Sequence, residues 1–332
     1  MSHPRHHLLI VGTGSIGERH LRCFLTTGRC DVSFIEPRAE VAEAISRRYP
    51  TARRFATLSE GIASGATGAV IATPATMHLA QGTECVRHGV SVLIEKPLSV
   101  TFDGLDEFQS ACAASTAKVA VAYVYRANPV LASMSEAIAA GTFGRPLQFT
   151  AVTGQNFPTY RPAYAETYYA SRSSGGGAVQ DALTHVINVG EWLLGPITRL
   201  VSDLDHRQLS TTAVEDMAHV IARHGNIPAS YSLNQYQPAN ELTFTVVCER
   251  AVVRFEGHLA RWRVMWQPDT PWEDHPFPPL DRDTAFIRQA VAFLDFLEGQ
   301  APPLCSLEEG ISTLKANHAI LQSAEQQRWQ EI

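Results

Sequence analysis

Asp181 and His185 stand one helical turn apart in GGGAVQDALTHVINV (175–189), behind three consecutive glycines. An imidazole titrates near neutrality, and a carboxylate one turn away can orient it, which together suit proton exchange with a hydroxyl. The same spacing also suits an ordinary amphipathic helix. Gln180, Asp181, Thr184, His185, Asn188 and Glu191 fall on one side, and Val179, Ala182, Leu183, Val186, Val189, Leu193 and Leu194 on the other. Taken alone, the segment leaves a wet helix face and a proton-transfer pair both open. Gly175–Gly177 read either as a flexible run before the helix or as room for a backbone or ligand to come close.

Two further stretches carry chemical potential. IEKPLSV sets Glu95, Lys96 and Pro97 at the end of an apolar run, where a parallel sheet presents its ligands. VGTGSIG places Gly12, Gly14 and Gly17 after a strand-like run and at the start of a helical one, with Thr13, Ser15 and Ile16 between them. Such a unit binds a dinucleotide. Its first glycine makes the turn, the second admits the pyrophosphate, the third lets helix pack on strand, and the helix N-terminus faces the phosphate charge. Glu36, nineteen residues past Gly17, can accept from an adenosine ribose and would repel a 2′-phosphate, which favours NAD. Arg38, two residues on, keeps NADP open.

These groups need a frame. Apolar runs at 7–12, 31–36, 68–73, 91–95 and 118–123 alternate with helical spacing, the pattern of a parallel sheet covered on both faces. Beyond residue 123 the pattern changes. A helix near 128–140, the strand LQFTAVTG and a tyrosine-rich loop lead into the Asp181 helix. From about 197 to 266, strands such as ELTFTVVC alternate apolar and polar residues, as in an open, mostly antiparallel sheet. Two helices close the chain. The expected fold is therefore α/β, with a dinucleotide-binding Rossmann domain over 1–123 and an α+β domain over 124–332.

Composition narrows the function. With 33 acidic against 27 basic residues and no basic block among aromatics, nucleic acid is not an expected partner. Cysteines 23, 30, 85, 112, 248 and 305 form no C-x-x-C pair, so neither a metal site nor a disulfide framework is expected, and a reducing compartment is. No apolar run reaches membrane-span length. A cytoplasmic protein is the expectation.

Taken together, VGTGSIGERH, TPATMH (73–78), EKP and GGGAVQDALTH resemble, in order, the signature elements of the glucose–fructose oxidoreductase and inositol dehydrogenase (Gfo/Idh/MocA) family. The resemblance runs from Leu8 to the final helices. It implies that Lys96, Asp181 and His185 are the catalytic group, and that Thr73, Pro74 and His78 line the cofactor together with Glu95 and Lys96. It also implies an NAD(P)-dependent dehydrogenase or reductase of a sugar or cyclitol, working as a homodimer or homotetramer. An NAD-dependent glycosidase and a non-enzymatic sugar or cofactor sensor are the alternatives on such a fold. Leu183 and Asn188 depart from the glycine and aspartate common in that motif, a difference that bears on the substrate pocket and leaves the trio intact. Gln155, Asn156, Tyr160, Arg161, Tyr164, Tyr168, Tyr169 and Arg172 in the preceding loop suit a hydroxylated ring. Of these, Asn156, Tyr160, Tyr168 and Arg172 are the expected substrate contacts, beside Lys96, Asp181 and His185.

Overall fold

The computed structural model describes residues 6–162 and 168–332. The chain divides into two units, one of Met1–Ala127 with Arg282–Leu307 and one of Asn128–Asp281 with Glu308–Ile332.

The first unit is a six-stranded parallel sheet in the order β3-β2-β1-β4-β5-β6. Its strands are β1 (His6–Val11), β2 (Cys30–Ile35), β3 (Arg53–Phe55), β4 (Gly68–Ile71), β5 (Ser91–Glu95) and β6 (Val119–Ala122). The helices α1 (Ser15–Thr27), α2 (Ala39–Arg48), α3 (Leu58–Ala63), α4 (His78–Arg87) and α5 (Leu105–Ala113) connect them. Strands β1, β4 and β5 are buried almost throughout, as a sheet covered on both faces requires. The expected strands are present with ends shifted by a residue or two, and β3 is an addition. Its RRF sequence exposes both arginines at the sheet edge, so it carries no apolar run to detect.

A second difference concerns the end of the chain. Sequence reading assigned everything after residue 123 to one domain, whereas Arg282–Leu307 belongs with the first unit. Helix α9 (Thr284–Leu297) buries Ala290, Phe293 and Leu294 in the cluster formed by Leu8, Ile10, Phe24 and Phe34. Arg22 forks onto Asp283 at 2.5 and 2.7 Å, and Arg29 reaches Asp295 at 2.6 Å. These pairings span more than 260 residues of chain, a distance local pattern does not report.

The second unit holds a nine-stranded sheet in the order β14-β13-β12-β11-β7-β10-β9-β8-β15. Its strands are β7 (Pro146–Gly154), β8 (Arg199–Asp205), β9 (Met217–His224), β10 (Ile227–Asn234), β11 (Glu241–Cys248), β12 (Val252–Glu256), β13 (Arg261–Met265), β14 (Glu273–Pro276) and β15 (Gln330–Glu331). Only β7 and β10 pair in parallel, so the sheet is mostly antiparallel. Its helices are α6 (Pro129–Ala139), the short α7 (Phe157–Tyr160), α8 (Thr184–Leu194) and α10 (Leu307–Gln326). Phe149, Tyr231, Phe244 and Phe255, alternate residues of four adjacent strands, form a chain of ring contacts 5.3–6.1 Å apart on the buried face. The other face leaves Ile221, midway along β9, 57% exposed.

Candidate active site

In the first unit the glycine turn fits a dinucleotide. Gly12 holds φ +85°, and a Cβ there would lie 3.0 Å from the Ala72 carbonyl oxygen. At Gly17 a Cβ would fall 1.8 Å from the Gly12 carbonyl oxygen, so helix α1 sits directly on the turn. Gly14 faces open space, its nearest neighbour the Arg38 guanidinium at 3.7 Å. Gly14 is also the N-cap of α1 and supplies no side-chain acceptor, so the first-turn N–H groups beside Ser15 and Ile16 are not capped by a side chain. That is the cradle a pyrophosphate fills.

Glu36 follows β2 and is 3% exposed. Its carboxylate accepts from the Thr13 N–H at 3.1 Å and the Thr13 hydroxyl at 3.3 Å. Arg38 adds its own N–H at 3.0 Å and a guanidinium fork at 2.7 and 2.9 Å. Burial pushes the carboxyl upward, but the Arg38 fork and the N–H groups of Arg38 and Thr13 outweigh it and hold the pKa at about 2. The two residues that argued for opposite cofactors are thus each other's partners, with Arg38 largely exposed above a buried anion.

His78 is 1% exposed. Its Nδ1 faces the Pro97 carbonyl at 3.0 Å and its Nε2 the Thr73 carbonyl at 2.9 Å. Burial lowers its pKa while both carbonyls favour the charged ring. The ring therefore ties the Thr73–Pro74 loop to the turn after β5. Thr73 donates to Gln81 at 2.6 Å, and Pro74 is exposed. Glu95 likewise points inward, its Oε1 2.6 Å from His20 Nε2 and its Oε2 accepting the Lys96 N–H at 3.0 Å. The Lys96–Pro97 bond is cis, and Lys96 is partly exposed.

In the second unit the question raised by residues 175–189 has a structural answer. Gly176 lies where a Cβ would be 2.1 Å from the Tyr169 carbonyl oxygen, and Gly177, at φ +93°, would meet the Glu215 carboxylate at 2.4 Å. What approaches these glycines is therefore backbone and a buried acid. Glu215 accepts from the Val179 N–H at 3.2 Å and from Arg172 at 2.9 Å, so it caps the start of the helical segment. The segment opens as a π-helix over Val179–Leu183 and continues as α8.

Apart from His185, the polar stripe is buried. Gln180, Asp181, Thr184, Asn188 and Glu191 are each 8% exposed or less. Asn317 of α10 donates to Thr184 at 2.8 Å, Asn188 donates to the Thr313 hydroxyl at 3.0 Å, and Ser312 and Thr313 both donate to Glu191 at 2.6 Å. On the opposite side Tyr231 lies against Gly190, and His224 bridges the Tyr231 hydroxyl and the Gly195 carbonyl, each at 2.6 Å. His185 is the partly exposed member of the stripe. Asp181 accepts from the Tyr168 hydroxyl at 2.5 Å.

The loop residues divide by role. Tyr168 meets Asp181. Tyr160 is 52% exposed, and its hydroxyl accepts from Asn240 at 2.5 Å. Asn156 caps α7 through Thr159, at 3.2 Å to the N–H and 2.8 Å to the hydroxyl. Arg172 is engaged by Glu215 and, at 3.6 Å, by Glu325. Arg161 lies 6.0 Å over the Phe157 ring. Tyr169 is buried with Phe157, Leu209 and Val214 and donates to Gln235. Tyr164 lies outside the described residues. Sequence reading did not single out His20 or Glu215. Only the position of His20 three residues after Gly17 hinted at the first; no local signal marked the second.

Residues 6–123 match the profile described as an oxidoreductase family with an NAD-binding Rossmann fold, and residues 131–254 match the GFO/IDH/MocA C-terminal domain. The chain belongs to the Gfo/Idh/MocA family. The first unit is accordingly an NAD-binding Rossmann domain. Among relatives, an inositol 2-dehydrogenase of Burkholderia multivorans is 28% identical over 56% of this chain and 53% of its own. A 1,5-anhydro-D-fructose reductase of Ensifer adhaerens is 24% identical over 95% of each chain. The chain thus spans about half the length of some curated relatives, the inositol 2-dehydrogenase among them, at 53%. A levoglucosan dehydrogenase in complex with NADH and levoglucosan superposes with a TM-score of 0.88 at 19% identity, over 99% of this chain and 100% of its own. The WlbA dehydrogenase of Bordetella pertussis, in complex with NADH and UDP-GlcNAcA, has a TM-score of 0.85 at 22% identity, over 100% and 99%. These structural likenesses establish the fold.

Proposed function

We propose that the protein is an NAD-dependent dehydrogenase or reductase acting on a hydroxyl or keto carbon of a sugar, sugar derivative or cyclitol. The observation that carries this reading is the Asp181–His185 pair: a buried carboxylate one turn before a partly exposed imidazole, on a helix fixed along its remaining polar side. Bound NAD supplies the hydride acceptor. In the oxidative direction His185 takes the hydroxyl proton, and Asp181, held by Tyr168, orients the ring and favours its cationic form. The family resemblance assigns Lys96 the part of polarising the reacting oxygen and stabilising its developing negative charge. In reduction His185 acts as the acid. The relatives' names, an inositol dehydrogenase and an anhydrofructose reductase, support the substrate class.

The test is a panel of sugars, cyclitols and nucleotide-linked sugars with NAD and NADP, followed at the nicotinamide absorbance band. Release of free sugar without net NADH would replace the dehydrogenase reading by a glycosidase. Ligand binding with no turnover on any member would replace it by a sensor. We also propose that the outward sheet face around Ile221 joins copies into a dimer or tetramer; only monomer by light scattering at micromolar concentration would refute that.

A further inference from the structure

We propose that His20 is a positioning residue for Lys96, acting through the buried carboxylate of Glu95. The inference rests on the reading of Lys96 as the polarising group and adds how its backbone is set. His20 lies on α1, five residues into the helix that begins at the glycine cradle, and is fully buried. Its Nε2 is 2.6 Å from Glu95 Oε1, and since a carboxylate accepts, Nε2 carries the proton. Glu95 Oε2 takes the Lys96 N–H at 3.0 Å. One carboxylate therefore links the phosphate-facing helix to the first peptide of the lysine turn.

The ring has a fixed seat. Phe286 of α9 meets it edge-on at 5.6 Å, and Phe24 lies tilted at 6.4 Å. Arg19, one residue earlier, covers the same Phe286 ring at 4.9 Å. From the other side, His78 grips the Pro97 carbonyl at 3.0 Å. The turn is thus held at Lys96 N–H by Glu95, itself backed by His20 of α1, and at Pro97 C=O by His78 of α4. Without the imidazole, a carboxylate 5% exposed has lost one donor and rotates towards another, taking the Lys96 peptide with it. A shift approaching 1 Å at a group that polarises substrate costs about 10²-fold in rate.

Lysine is rare in this chain: Lys96, Lys118 and Lys315 are the three. Reductive ¹³C-methylation therefore gives a readable NMR spectrum without any turnover. Lys118 donates to the Phe296 and Leu297 carbonyls at 2.6 and 3.2 Å, so its signal reports general disturbance of α9. In full-length His20→Leu, the Lys96 resonance should move by more than its linewidth while those of Lys118 and Lys315 stay. In the unmethylated variant, turnover should fall about 10- to 100-fold with NADH affinity, by fluorescence titration, within about threefold. His20→Gln, whose Nε2 reaches towards the same oxygen, should restore both. Glu95→Ala breaks the link without adding volume and must also move the Lys96 signal, which keeps the test open if His20→Leu does not fold. An unmoved Lys96 resonance in a folded variant, or Lys96 and Lys118 moving together, overturns the proposal. Full turnover in Lys96→Ala would instead overturn the role of Lys96, leaving the resonance test of the link intact.

Discussion

Replacing Glu36 with Gln should make the protein less stable at neutral pH and leave that deficit smaller in acid. In the folded chain the Glu36 carboxyl is held at about 2, against 4.5 when unperturbed. A depressed carboxyl stabilises the fold above its unfolded pKa and loses that contribution as pH falls towards the folded value. The difference of about 2.5 units corresponds to a ceiling of about 3.4 kcal/mol at pH 7. Because the Arg38 partner is largely exposed, solvent screening reduces this to about 2–3 kcal/mol. By the same linkage about 40% of it is gone at pH 3.5, midway through the window. Urea unfolding of full-length wild type and Glu36→Gln at pH 7 and pH 3.5 measures the gap at each. A gap that stays constant, or that is under about 0.5 kcal/mol at pH 7, refutes the reasoning. The substitution also removes the anion that neutralises Arg38 beside the Gly14 cradle. The ratio of NADPH to NADH affinity should therefore rise about tenfold, equivalent to about 1.4 kcal/mol; an unchanged ratio would mean that Glu36 does not select the cofactor.

Other substitutions probe the second unit. His185→Ala should lower turnover about 10²–10⁴-fold with NADH affinity unchanged, and Asp181→Asn by less, since the ring stays but loses its charged partner; near wild-type turnover in folded His185→Ala would remove the histidine from the mechanism. Gly176→Ala drives a Cβ to 2.1 Å from the Tyr169 carbonyl oxygen, which should cost about 1–3 kcal/mol in urea unfolding and displace Tyr168 from Asp181; unchanged stability would mean that the loop yields freely. Thr313→Val deletes the acceptor for Asn188 and one donor to Glu191, and should cost about 1–3 kcal/mol; a neutral result would show that water replaces both bonds.

What local pattern made readable were interactions closed within one strand–turn–helix. The turn from Gly12 to Gly17, the continuous apolar strands of the first sheet and the alternation in β11 all follow from steric or burial rules acting over a few residues. The Glu36–Arg38 pairing also lies within two residues, yet types alone left two cofactors open, because the outcome depends on how many donors the carboxylate collects. Features set by distant chain stayed hidden. Helix α9 joins the first core across the intervening stretch from Asn128 to Asp281, and Glu215 caps a helix that begins 36 residues earlier.

The stripe from Gln180 to Glu191 shows why such hidden partners bear on function. Six polar residues on one face read as a solvated surface unless another polar element covers them. Here α10, more than 120 residues later, brings Ser312, Thr313 and Asn317 to Thr184, Asn188 and Glu191. Burying that many polar groups is tolerable only because each bond removes a desolvation penalty. The network accounts for the stripe beyond the first turn and fixes the helix rigidly. Asp181 is held by the Tyr168 hydroxyl, and His185 is partly exposed. With Thr184, Asn188 and Glu191 explained by packing against α10, the aspartate and histidine stand as an acid–base pair on a support stiff enough for geometry to matter.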